Sequence, residues 1–267
     1  MLACLSGISA QADDFTLSQK NATLGVNITN AAAGVVKWNV DGVNYLNFQN
    51  FYYRAGAQTS ESSVQSISSS PTVSFTQIPN ALSLLDVTYA NASYSVRTVY
   101  QLTGGNAGSG SSGLSETITV KNLTGSALDF HLFQFSDFNL WGQPGGQTAQ
   151  FGFDTLGQPY KVTQTDGTHT LTESVNANSA PVGHFEAATG NTTLTSLTDG
   201  ATTVLNDNAT SGPGNVTFAY EWDATLAANG GTLTISKLMN IVPEPTTATI
   251  ILTAIGTSLA VRRRKTA

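Results

Sequence analysis

Apolar and polar residues alternate with period two through much of residues 13–242, and turn dipeptides interrupt the alternation at short intervals. Residues 35–40 and 43–48 flank Asp41-Gly42, a pair that supplies the positive φ values of a type I′ hairpin turn. Residues 160–165 and 168–173 flank Asp166-Gly167 in the same pattern, and 192–197 and 201–205 flank Asp199-Gly200. Three further pairs complete the series: 82–89 with 93–102, 114–123 with 127–138, and 216–226 with 232–238. No stretch before residue 243 sustains a 3.6-residue apolar period. The pattern predicts an all-β fold, one antiparallel β-sandwich of about 12–16 strands.

Segment 128–141 is the most apolar. Asp129, His131, Phe133, Phe135 and Asp137 share one face, and Phe130, Leu132, Gln134, Ser136 and Phe138 share the other. Both faces are partly apolar, as in a strand covered on two sides. Residues 104–113 form a Gly/Ser loop without a bulky side chain, which predicts mobility. Residues 60–70 are a second polar connector, and neither marks a domain boundary.

Composition sharpens this picture. Charged residues make up 10% of the 267, where about 25% is usual. Hydroxyl, amide and glycine residues replace them, which disfavours helix surfaces. The charge is also divided. Residues 13–242 carry 16 acidic and 7 basic side chains, whereas residues 243–267 carry one acidic and four basic. An acidic, Lys-poor body is a poor partner for nucleic acid. The single cysteine, Cys4, excludes an internal disulfide framework.

The basic end has three parts in order. Pro243-Glu244-Pro245 comes first, then uncharged residues 246–261, then Arg262-Arg263-Arg264-Lys265. The uncharged stretch predicts a single transmembrane helix of roughly 24 Å, slightly short of the hydrocarbon core. The basic cluster would hold its own end inside and leave the body outside. This order of parts resembles the PEP-CTERM sorting signal of Gram-negative bacteria. The resemblance covers residues 242–265 and implies export and recognition by a membrane transpeptidase of the exosortase type. It also implies passage through the inner membrane, cleavage near Pro243-Glu244-Pro245 and association with exopolysaccharide. Residues 1–12 read as the remnant of a signal peptide whose true start lies upstream, with Ala10-Gln11-Ala12 as its cleavage site. The expected organisation is therefore a leader (1–12), a β-sandwich body (13–242) and a sorting tail (243–267). The body's resemblance to other exported PEP-CTERM β-rich proteins is loose.

Chemistry in the body is sparse. His131, His169 and His184 form no zinc-binding spacing, and no G-x-S-x-G elbow is present. His131 lies two residues from Asp129 on one strand face, the placement of a hydrogen-bonded structural histidine. Glu221 and Asp223 also share a strand face. Paired carboxylates can run glycoside hydrolysis, although acid and base ordinarily come from different strands. No catalytic residue, no metal ligand set and no cofactor is assigned. The single metal the acidic body invites is structural Ca2+, through loops such as Asn206-Asp207-Asn208.

Aromatics are the remaining resource. Trp38, Tyr45, Phe48, Phe51, Tyr52 and Tyr53 cluster, and rings on a sheet can stack on sugars; equally, such rings fill sandwich cores. The first expectation is an exported, non-enzymatic protein of the cell surface or extracellular matrix. The second is a carbohydrate-binding module for polysaccharide, reading it with Trp38, Tyr45 and Tyr53. The third is a secreted glycoside-active enzyme.

Overall fold

The structure is a computed structural model, and it describes residues 14–29 and 34–243. The chain forms strands β1 (Phe15–Gln19), β2 (Ala22–Asn27), β3 (Gly34–Val40), β4 (Val43–Asn44), β5 (Leu46–Ala55) and β6 (Ser62–Ser63). Next come β7 (Thr72–Ile78), β8 (Leu82–Ala90), β9 (Tyr94–Gly104), β10 (Ser112–Asn122), β11 (Leu128–Phe138) and β12 (Gln147–Phe153). The last are β13 (Pro159–Thr165), β14 (His169–Val175), β15 (His184–Thr189), β16 (Thr210–Gly214), β17 (Val216–Leu226) and β18 (Thr232–Pro243). A five-residue helix, α1 (Thr192–Ser196), follows β15.

These strands build two antiparallel sheets of nine strands each. The first runs β1-β2-β3-β5-β11-β17-β15, with β4 on β3 and β6 on β5; the second runs β16-β12-β13-β14-β18-β10-β9-β8-β7. The all-β sandwich expected from the alternation is present, with 18 strands among the described residues. No helix among them is long and apolar enough to cross a membrane. Residues 246–261, the expected span, lie outside the described residues, as does most of the expected sorting signal.

Local pairing follows the sequence where the turn is tight. Asp41 and Gly42 both take positive φ, 50° and 85°, and β3 pairs with β4 as a hairpin. The pairs β8–β9 and β13–β14 also form as expected. Two expected hairpins do not close. β10 pairs with β9 and β18, whereas β11 pairs with β5 and β17, so the chain crosses from one sheet to the other between them. β17 and β18 are divided in the same way. The expected hairpin around Asp199-Gly200 is instead α1 followed by an irregular segment. The hydroxyls of this segment bond back to its own turns: Thr195 and Thr198 donate to the carbonyls of Asn191 and Leu194, four residues earlier. The 104–113 loop is pinned, contrary to expectation. Asp41 accepts from the amides of Gly108 and Gly110, at 2.7 and 2.8 Å.

The core fills the space between the sheets. From β11 the inward side chains are Phe130, Leu132, Gln134, Ser136 and Phe138; from β17 they are Phe218, Tyr220 and Trp222. The outer face of β11 is covered too. Phe133 and Phe135 pack with Tyr52, Ala219, Leu197 and Leu205 in a second apolar cluster. The two-sided strand seen in the sequence is thus real, and segment 191–209 is its outer cover.

Candidate functional site

The outer face of the first sheet changes character along β11. Toward Phe135 it is apolar and covered; toward Asp129 it is ionic and open. Antiparallel register places His131 opposite Asp223 of β17 and Arg54 of β5. The next row places Phe133 opposite Glu221, which in turn faces His184 of β15. Alternation then points Asp129, His131, Glu221, Asp223 and Arg54 out on the same side.

His131 is the centre of the group. Its Nδ1 hydrogen-bonds Asp223 Oδ1 and lies 3.8 Å from Glu221 Oε1; its Nε2 sits 3.3 Å from Asp129 Oδ2. The His131 side chain is 19% exposed and that of Asp223 is 35% exposed, whereas that of Glu221 is 1% exposed. Burial, aided by the neighbouring Asp223 carboxylate, pushes Glu221 up to about 7. The Leu205 amide opposes that rise by donating to Glu221 Oε2 at 2.9 Å. At the edge, His184 Nδ1 lies 3.0 Å from Asp207 Oδ2, and that hydrogen bond raises the imidazole's pKa against the opposing effect of burial.

Segment 191–209 is tied down over this face by polar contacts. Thr202 Oγ1 donates to the Thr59 carbonyl, and the Thr203 amide donates to Glu61 Oε1 at 3.1 Å. Glu61 is itself paired with Arg54 at 3.0 Å in a nearly dry site. The arrangement supplies a carboxyl that ionises near neutrality, an imidazole beside it and a second carboxylate, a set suited to hydroxyl recognition and to proton transfer. The ligand atoms of His131, Glu221 and Asp223 converge within 4.8 Å, a nitrogen–oxygen donor set able to hold a divalent cation.

The other sequence expectations fare differently. Trp38 and Tyr45 are wholly buried and Tyr53 nearly so, which corrects the reading of these rings as a sugar platform. Trp38 Nε1 donates to Ser112 Oγ across the sandwich, and Tyr53 stacks on Phe130 with centroids 5.8 Å apart. Their large apolar surfaces are what joins the sheets. The exposed tryptophan is Trp141, 48% exposed and stacked on His169. It lies beyond the far end of β11, whose last residue, Phe138, is about 23 Å along the strand from His131. In the 206–208 loop, Asn206 donates to Glu186, Asp207 holds His184 and the Asn208 amide donates to Asn206 Oδ1. Pro243 closes β18 opposite His169, while Glu244, Pro245 and Arg262 to Lys265 lie outside the described residues.

Sequence reasoning held both halves of this site apart. Asp129 with His131, and Glu221 with Asp223, were each visible as period-two neighbours. Their meeting depends on the register of β11 against β17, across 92 residues of chain. His184 and Arg54 carried no local signal.

No family model and no curated protein sequence matches the chain. Solved structures do share its fold. A bacterial glucoamylase complexed with acarbose superposes with a TM-score of 0.58 at 10% identity, over 94% of this chain and 36% of that one. This chain thus corresponds to about a third of the glucoamylase. A galactose mutarotase-like protein from Clostridium acetobutylicum gives 0.53 at 10% identity, over 85% of this chain and 94% of that chain. The galactose 1-epimerase of Lactobacillus acidophilus NCFM gives 0.53 at 10% identity, over 85% and 93%.

Proposed function

We propose that the chain is an exported protein, sorted to the cell surface or matrix by its C-terminal tail, whose body binds carbohydrate without turning it over. The tail would engage an exosortase-type transpeptidase through Pro243, Glu244 and Pro245, with residues 246–261 in the inner membrane and Arg262 to Lys265 as the stop. The sugar would lie on the outer face of the first sheet. The observation that carries this is the His131–Asp223–Asp129 group on an open sheet face, in a fold shared with sugar-handling proteins. Imidazole and carboxylate groups are suited to paired sugar hydroxyls. Binding is favoured over catalysis because Glu221 is sealed beneath segment 191–209, with one oxygen committed to the Leu205 amide.

A glycan array probed with the full chain tests this, with His131→Gln and Trp141→Ala beside it. Binding lost in His131→Gln and kept in Trp141→Ala is the expected result. No binding to any glycan, or loss in Trp141→Ala alone, overturns the assignment. A second reading rests on the position of Glu221 beside His131: an acid–base pair for sugar ring opening, exposed when segment 191–209 lifts. Acceleration of the α-to-β conversion of galactose, followed by polarimetry and lost in Glu221→Gln, would replace the binding reading with that one.

A further inference from the structure

A dry ionic cluster lies between the two sheets, remote from the outer face. Lys237 of β18 places Nζ 2.6 Å from Glu116 Oε2 of β10 and 2.9 Å from Glu173 Oε1 of β14, all three side chains being fully buried. The same nitrogen donates to Gln134 Oε1 of β11, in the opposite sheet. Gln134 Nε2 in turn lies 3.1 Å from Glu173 Oε2 and 3.0 Å from Ser136 Oγ. Gln49 Nε2 donates to both oxygens of Glu116, at 3.2 and 3.0 Å. The Phe51 ring closes one side, 5.2 Å from Nζ.

Two carboxylates against one ammonium leave one negative charge in excess, and burial raises the pKa of Glu116, which favours its taking a proton from the ammonium. The contacts are also ordered as a reaction would need them. An amine touches a carboxamide; one carboxylate touches the amine; a second carboxylate bridges the amine and the amide nitrogen that would leave.

We propose that Lys237 and Gln134 join in an intramolecular isopeptide bond, a covalent cross-link between the two sheets formed by the protein on itself. The Lys237 ammonium gives one proton to Glu116. The freed lone pair attacks Gln134 Cδ, forming the new C–N bond and moving the carbonyl π electrons onto Oε1. Glu173 takes a second proton from the attacking nitrogen on Oε1 and, by turning about its Cγ–Cδ bond, carries that same proton to Nε2. The carbonyl reforms, the Cδ–Nε2 bond breaks and ammonia leaves. Of the three ammonium protons, one stays on the new amide, one leaves with ammonia and one rests on Glu116. No oxidant or co-reactant enters. Glu116 and Glu173 are the catalytic residues; Gln49 is a positioning residue that aims Glu116. The exclusion of water keeps solvent from returning a proton to the amine and from hydrolysing the intermediate. Such a bond would serve a body whose residues 13–242 contain no cysteine with which to build a disulfide.

Mass spectrometry of the denatured, trypsin-digested full chain decides this. Trypsin otherwise cuts after Lys121, Lys161 and Lys237. The expected product is the 122–161 peptide joined to a peptide left uncut at Lys237, lighter than their sum by one ammonia. Glu173→Gln, which keeps the shape of the site and removes its proton carrier, is expected to give unlinked peptides. Recovery of unlinked 122–161 and of a peptide ending at Lys237 as the whole of the wild-type material overturns the proposal, whether or not the variant folds. Ammonia loss mapping to any other residue overturns it as well. Cross-linking that persists in Glu173→Gln removes Glu173 from the mechanism.

Discussion

Strand β11 carries two clusters of the same residue kinds on its opposite faces. Inward, Gln134 meets Lys237, Glu116 and Glu173; outward, His131 meets Glu221, Asp223 and Asp129. Each has a nitrogen base among carboxylates. They differ in water. The inner group is dry, so each charge must be matched or neutralised within it, and its contacts are short. The outer group grades from buried Glu221 to open Asp129, so its charges can be answered by solvent or by a ligand. On the proposed readings, nitrogen and carboxylate groups serve as a staple on one face and as a recognition surface on the other.

Removing the base from each side separates these roles most strongly on the inside. Lys237→Met leaves two buried carboxylates uncompensated and is expected to cost about 3–5 kcal/mol in urea-induced unfolding. Where the amide forms, the variant also frees a closed segment spanning 103 residues, adding about 4–5 kcal/mol by the entropy of loop closure. A loss below about 1 kcal/mol would mean that the inner cluster is hydrated after all.

The buried edge of the outer cluster comes next. Glu221 ionises at 4.5 in an ordinary setting and near 7 in the fold, so between these values the folded state holds a proton that the unfolded state has released. Stability is accordingly full below pH 4.5, declines by about 3 kcal/mol as pH rises to 7, and then levels. Glu221→Gln should flatten that decline while keeping the Leu205 amide bonded. An unchanged profile from pH 4.5 to 7 in the variant would locate the titration elsewhere. The smallest effect belongs to the open part. His131→Gln should alter stability by less than about 1 kcal/mol while abolishing glycan binding, since partly exposed ion pairs contribute little. A large drop in melting temperature would instead make His131 a structural residue.

The strands were legible because period-two alternation is a local signal, and so were hairpins such as β3–β4, where Asp41-Gly42 dictates the turn. The crossovers were not. Gly125-Ser126 and Asn229-Gly230-Gly231 end one strand and begin another exactly as hairpin turns do, and only packing sends the two strands to different sheets. The aromatic run at 38–53 was ambiguous for a related reason. Composition records that rings are present, whereas their depth follows from which strands come to lie on either side. The sequence placed Gln134 and Ser136 on one face with Phe130, Leu132 and Phe138, but nothing local pointed to Lys237, 103 residues away, as the partner of Gln134.

Strand β18 lies between β10 and β14 and ends at Pro243, where the proposed sorting tail begins. A pull applied to that tail runs along the strand's own axis, across hydrogen bonds that stand perpendicular to it on both sides. The two ladders must then slip together under shear, because neither can be peeled open one pair at a time. Lys237 sits six residues in from that end, so the inner cluster lies directly in the path of the load. Through Gln134 the cluster would hand part of that load to β11, the strand that also carries His131.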